Sequence, residues 1–177
     1  MSVSITGYSK IKLSETVSRN DDGDYVDTAT GALMDYDDFI SPWVNTDFPT
    51  RAEDIQSKKV YSYGEAVDGG DWSYGGYNRM RTQLAVLGGL GIPPYGAGDA
   101  EWQAWFTQAE GRSFFEIVYF SDCEGTLGTA VCKKLAIDFA FYQEKADEIR
   151  MQHFGKFYAE LRAVIDAGAD DGCVIFS

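Results

Sequence analysis

The sequence predicts a single α+β domain, with a mainly antiparallel sheet packed against two long C-terminal helices. Three observations predict it. Short alternating apolar runs come first, at Val3 and Ile5 and again at Ile11 and Leu13. Helical periodicity dominates the second half. An apolar tail, Cys173-Val174-Ile175-Phe176, then reads as a closing strand. Strands first, then helices with single strands interspersed, favours α+β over a doubly wound sheet. The 177 residues, 45% apolar and 15% aromatic, suit one domain over 1–177, with residues 15–59 as an acidic, loop-rich elaboration. A chain of this length buries roughly 70% of its unfolded surface, so it needs no disulfide or metal staple.

The elements follow in order. Gly7 is expected to break the first strand from the second. Asn20, Asp22 and Asp24 show the alternate spacing of a calcium loop, but Tyr25 stands where the turn glycine belongs and Gly31 where a closing Glu belongs. The pattern therefore reads as a solvated hairpin tip with no metal. From Asp35 to Pro49 the chain is acidic and aromatic, and Pro42 and Pro49 interrupt regular structure. Residues 58–63 read as a strand and 69–77 as a flexible, aromatic-rich loop. Tyr77, Met80, Leu84 and Leu87 mark one face of a helix that the doublet Gly88-Gly89 ends. Asp99 is placed to cap a short helix with Trp102, Phe106 and Ala109 on one stripe.

Residues 113–120, rich in β-branched and aromatic side chains, are expected to form a strand beside 173–176. Val131, Leu135, Phe139, Tyr142, Ala146 and Ile149 then mark a long amphipathic helix. Phe154, Phe157, Tyr158, Leu161 and Ile165 mark a second, with a break near residue 151.

Charge bounds the partners. Net charge is −13, and residues 15–71 hold fourteen acids against four bases, a net −10. Such a field repels nucleic acid and anionic membranes and attracts basic protein surfaces; it also serves plain solubility. Direct nucleic-acid binding is not expected, because that needs clustered Lys and Arg. No apolar run reaches the roughly 18 residues of a membrane span. The N-terminus lacks the pattern of a signal peptide. Three cysteines without CxxC spacing form neither a disulfide framework nor a zinc site. Cys132 and Cys173 read as small buried hydrophobes. Together these features predict a cytoplasmic protein without membrane or cofactor.

The residues that could carry chemistry are few. Asp122 and Glu124 follow the apolar run in a polar turn, where they could divide acid and base roles or cap the next helix. Cys123 between them is a poor nucleophile, since neighbouring negative charge suppresses its thiolate. His153, the single histidine, lies on a packing helix. Arg81 follows the aromatics Trp72 to Tyr77. It could clamp an anion or pair with Asp122 and Glu124. No GxGxxG, P-loop, HExxH or GxSxG motif is present.

Two stretches, Tyr74-Gly75-Gly76-Tyr77-Asn78-Arg79-Met80-Arg81 and Phe115 to Gly125 with its Ser121-Asp122-Cys123-Glu124-Gly125 turn, carry a resemblance. They resemble a family of uncharacterised bacterial and phage proteins, over residues 60–177. The resemblance implies a recurring scaffold and a phage or prophage origin, with no activity to transfer.

Two functional expectations follow. The first is a non-enzymatic interaction module whose acidic face occupies a basic surface of a nucleic-acid-handling complex. In a phage protein this would be a nucleic-acid mimic in the host cytoplasm, inhibiting a host defence complex in the anti-CRISPR manner. Its binding residues would be Asp35, Asp37, Asp38, Trp43, Asp47, Asp68, Asp71 and Trp72. The second is a small enzyme or ligand-binding domain with a polar site formed by Tyr77, Arg81, Asp122 and Glu124.

Overall fold

The computed structural model of the protein describes residues 2–120 and 125–177. Its centre is a four-stranded antiparallel sheet of β1 (Ser2–Tyr8), β7 (Ala66–Ser73), β8 (Gly125–Leu127) and β9 (Cys173–Phe176), in the order β7-β1-β9-β8. Two long helices, α4 (Thr129–Asp147) and α5 (Phe154–Ala169), pack against it. The fold is α+β.

Side-chain alternation in β1 decides the layers. Val3 and Ile5 enter the main core with Phe157, Leu161, Val164 and Ile165 of α5. On the opposite face, Tyr8 and Ile175 meet a second apolar cluster of Ile40, Ala52, Ile55 and Tyr61. That cluster belongs to the acidic first third of the chain, where β2 (Lys12–Leu13), β5 (Phe39–Ile40) and β6 (Tyr61–Ser62) form a small sheet of their own. The acidic segment is thus a cover for the sheet's second face, with its carboxylates turned outward.

Several elements depart from expectation. β1 runs through Gly7 without a break: a Cβ there would lie 2.4 Å from the carbonyl oxygen of Val164, so this glycine lets α5 approach the strand. Residues 58–63 form strand only at Tyr61–Ser62. The supposed loop at 69–77 is ordered as the end of β7 and the start of α1 (Tyr74–Leu87), with a bulge at Gly69-Gly70 between the pairs Ser4–Asp71 and Thr6–Asp68. Ser73 caps α1, its hydroxyl accepting from the Gly76 N–H at 3.1 Å. Gly88 ends that helix as expected. The hairpin tip expected at residues 20–24 joins β3 (Val17–Arg19) to β4 (Tyr25–Asp27), and the Asp24 N–H donates to Asn20 Oδ1 at 2.8 Å.

The largest departure is at residues 113–120. They form a helical turn, α3 (Phe115–Val118), after Phe114 in a left-handed conformation at φ 63°. Phe114, Phe115, Ile117, Val118 and Phe120 are all buried, and their spacing matches neither a strand face nor a helix face alone. Such a run signals burial, and strand and helix meet that demand equally well. The place beside β9 goes to β1 and β8 instead. An ionic cluster fixes the segment: Lys134 bridges Glu116 at 2.5 Å and Asp138 at 3.1 Å, and Asp138 accepts from the Phe114 N–H at 2.9 Å.

The caps also differ. The Ala130 N–H in the first turn of α4 donates to Asp54 at 3.4 Å, and the capping expected of Asp122 or Glu124 lies outside the described residues. Helix α2 (Asp99–Ala109) is preceded by Gly98, whose N–H donates to Glu101 at 3.0 Å, while Asp99 turns elsewhere. His153 precedes α5 in an exposed, left-handed position at φ 66°. Among the described residues, no helix is long and apolar enough to cross a membrane.

Candidate functional site

A cleft of about 640 Å³ opens between α1, α2 and the end of α3. Helix α1 supplies Asn78 and Arg81 because both lie on its inward side, one turn apart. Helix α2 supplies Asp99, Trp102, Gln103 and Phe106. The glycine- and proline-rich connector before it supplies Tyr95. Tyr119 and Phe48 close the far wall. The rings support one another edge-on or tilted: Trp102 with Tyr95 at 5.9 Å, Phe106 with Tyr119 at 4.9 Å, and Phe48 with Tyr119 at 5.6 Å between centroids.

Arg81 forms the polar floor. It is only 4% exposed. One terminal nitrogen donates to the Phe120 carbonyl and the other to Asn78 Oδ1 at 2.5 Å. The guanidinium lies over Tyr77 at 5.3 Å and faces Tyr95 at 5.9 Å. Its Nε is buried without a hydrogen-bond partner. Among the described residues no carboxylate lies within salt-bridge distance of it. A buried cation whose hydrogen bonds among the described residues all go to neutral acceptors is costly, and an anion in the cleft would relieve that cost.

A second cavity of about 470 Å³ shares Phe48, Phe106 and Tyr119 with the first. Its cation is Arg51, 6% exposed, which donates to the Glu116 carbonyl at 3.1 Å and to Thr50 Oγ1 at 3.0 Å. Burial pulls the Arg51 pKa down from its usual value, and Glu116 works against that pull. Asp47, Glu110 and Glu116 line the same cavity, so carboxylates already surround this cation and outnumber it.

Of the polar site expected from Tyr77, Arg81, Asp122 and Glu124, Arg81 lines the open cleft. Tyr77 is fully buried beneath it, packed on Phe157 and Phe176. Asp122, Cys123 and Glu124 lie outside the described residues. The aromatic wall from Tyr95, Trp102 and Phe106 was missed by sequence reasoning. The stripe on residues 102–109 reads as core packing, and only Trp105 and Ala109 are in fact buried. Among the described residues no group of three or more His, Cys, Asp or Glu side chains is placed to hold a metal. Cys132 and Cys173 are buried thiols, and burial pushes the Cys173 pKa up to about 12, which removes its nucleophilic form.

The proposed partner-binding residues do not share one place. Asp35, Asp37 and Asp38 are exposed around a 3-10 turn at Tyr36–Asp38, with Tyr36 62% and Leu33 72% exposed nearby in sequence. Trp43 is near β8, its carbonyl accepting from Thr126, and Asp47 lines the second cavity. Asp68, Asp71 and Trp72 are on β7 at the opposite edge, three strands or about 14 Å away. Trp72 is half-buried with its ring against Phe157 at 5.2 Å, and its indole N–H donates to Gly69. Against protein-family models, curated proteins and solved structures alike, the chain has no match.

Proposed function

We propose that this chain is a ligand-binding module whose cleft holds a small planar anion, an aromatic carboxylate, against Arg81. One observation carries the reading: a nearly buried guanidinium with an unpartnered Nε at the floor of an open, aromatic-walled cleft. The volume suits a ligand of about 10–25 non-hydrogen atoms, within the usual range of about 300–1,000 Å³ for such sites. Trp102, Phe106 and Tyr119 offer ring faces and edges to a flat body, and Asn78, Asp99 and Gln103 offer polar contacts that orient it. A net charge of −13 disfavours polyphosphates, so a single carboxylate is the better match. The setting is cytoplasmic, in keeping with the buried free thiols.

Calorimetric titration with benzoate, 1-naphthoate and indole-3-acetate, each beside its neutral primary amide, tests this. At least one acid is expected to bind in the micromolar range and its amide at least about tenfold more weakly, a difference of about 1.4 kcal/mol. Equal affinity of acid and amide, or no acid binding below about 1 mM, would overturn the reading.

A second reading rests on a different observation: exposed Leu33, Tyr36 and Trp43 lie in the same stretch as exposed Asp35, Asp37 and Asp38. Apolar anchors set among acids suit a basic protein surface, and such a module could inhibit a nucleic-acid-handling complex by charge mimicry. Changing Asp35, Asp37 and Asp38 together to Asn should leave stability within about 0.5 kcal/mol per site. A basic partner isolated from the natural host should then bind more weakly, chiefly through slower association. Unchanged binding at low and physiological salt would exclude this segment as the recognition surface.

A further inference from the structure

We propose that α4 pairs with α4 of a second copy of this chain, antiparallel, forming a two-fold symmetric dimer. Ile137 and Phe141 are one helical turn apart and 71% and 73% exposed. Two large apolar side chains are thus left in water on one stripe of a helix whose other side is core. The stripe continues as Ala130, Lys133, Ile137, Phe141, Glu144 and Glu148, close to the 3.5-residue spacing of a helix seam. Ala130, Lys133, Glu144 and Glu148 are exposed too.

Charge selects the occupant and its direction. The stripe carries its base before the apolar pair and its acids after it. A two-fold axis at the level of residue 139 sets Ile137 of one copy opposite Phe141 of the other and Ala130 opposite Glu148. Lys133 then comes within about one and three residue rises, near 1.5 and 4.5 Å along the axis, of Glu144 and Glu148 in the second copy. Symmetry repeats each contact, because a two-fold interface uses the same patch on both subunits. A parallel pairing would instead set Lys133 on Lys133 and Glu144 on Glu144. The helix of 19 residues, about 28 Å long, gives the seam its length.

The rest of the molecule favours this face. Two chains of net charge −13 repel, yet residues 125–162 hold six bases against five acids. The α4–α5 side is where a second copy meets least repulsion. Lys133 already holds Asp171 at 3.0 Å but keeps 57% of its side chain exposed, and Lys134 is turned inward to Glu116 and Asp138.

Sedimentation equilibrium between about 5 and 500 µM, the range of small reversible interfaces, tests the proposal on the full chain. The wild type is expected to shift reversibly from monomer to dimer. Phe141→Asp should weaken association at least tenfold. Lys133→Glu should weaken it several-fold. Glu144→Lys with Glu148→Lys should also weaken it, although that pair lowers the net negative charge and would strengthen any association limited by overall repulsion. Lys133→Glu, Glu144→Lys and Glu148→Lys together, a triple exchange of the two ends of the seam with Phe141 kept, should restore dimerisation. These positions are exposed, so far-UV circular dichroism and urea midpoints should stay near wild type. A wild type that remains monomeric at 500 µM overturns the proposal. So does a dimer insensitive to Phe141→Asp, or a triple exchange no tighter than Lys133→Glu alone.

Discussion

Arg81→Met is expected to remove binding of the aromatic acid while leaving a folded protein. Among the described residues the guanidinium is the one cation lining the first cleft, and a carboxylate placed there would be desolvated by the surrounding rings. Truncating one partner of such a pair costs about 2–5 kcal/mol, because the other charge is left without its counter-ion. In dissociation constants this is roughly a thirtyfold to several-thousandfold loss. Met keeps much of the side-chain length and the packing on Tyr77, so the α1 backbone has no reason to move. Arg81→Lys should fall between, since an ammonium keeps the charge but not the planar fork of donors. Calorimetry with the tightest acid, after a urea midpoint shows the variant folded, gives the answer. Wild-type affinity in a folded Arg81→Met protein would remove Arg81 from the site. If the urea midpoint itself collapses, Arg81→Lys decides, because it preserves the charge on Tyr77 and its amide analogue remains the reference.

Phe157→Ala should give the largest loss of stability, about 3–5 kcal/mol, the usual cost of emptying a buried aromatic site. The ring is fully buried on the core face of α5. It meets Trp72 of β7 edge-on at 5.2 Å and Tyr77 of α1 at 6.1 Å, so one side chain ties three elements together. Tyr77 in turn supports the Arg81 guanidinium at 5.3 Å. The variant should therefore weaken ligand binding as well, through a loosened floor, with no contact to the ligand removed. Phe157→Leu should cost clearly less, because it leaves a smaller void. Urea denaturation measures both. A loss under about 1 kcal/mol for Phe157→Ala would mean that the core closes over the gap and that the three elements are not held through this ring.

The amphipathic helices were legible because their apolar spacing repeats over many turns. Val131 to Ala146 fall in α4 and Phe154 to Ile165 in α5, while Ile149, expected on the first helix, lies in the break at residues 148–153. Residues 113–120 were not legible: their buried side chains follow no single period, and period is what distinguishes strand from helix. The site was legible only in Arg81. Trp102 and Phe106 fall on a stripe that reads as core, and no local signal shows that α2 stands far enough from α1 to leave a cleft between them.

The sequence by itself determined the α+β class, the two C-terminal helices, the closing strand at Cys173–Phe176 and the concentration of acid before residue 72. Each depends on local periodicity or on composition, which short-range geometry converts directly into structure. Only the tertiary structure decided that β9 lies between β1 and β8, that the acidic segment covers the second face of the sheet, and that Arg81 lies on the floor of an aromatic cleft. Those outcomes depend on contacts between residues far apart in the chain. A Cβ at Gly7 would meet Val164, and the Arg81 guanidinium finds the carbonyl of Phe120. Such pairs form because the packed chain brings them together, and nothing in either local segment encodes the distance between them.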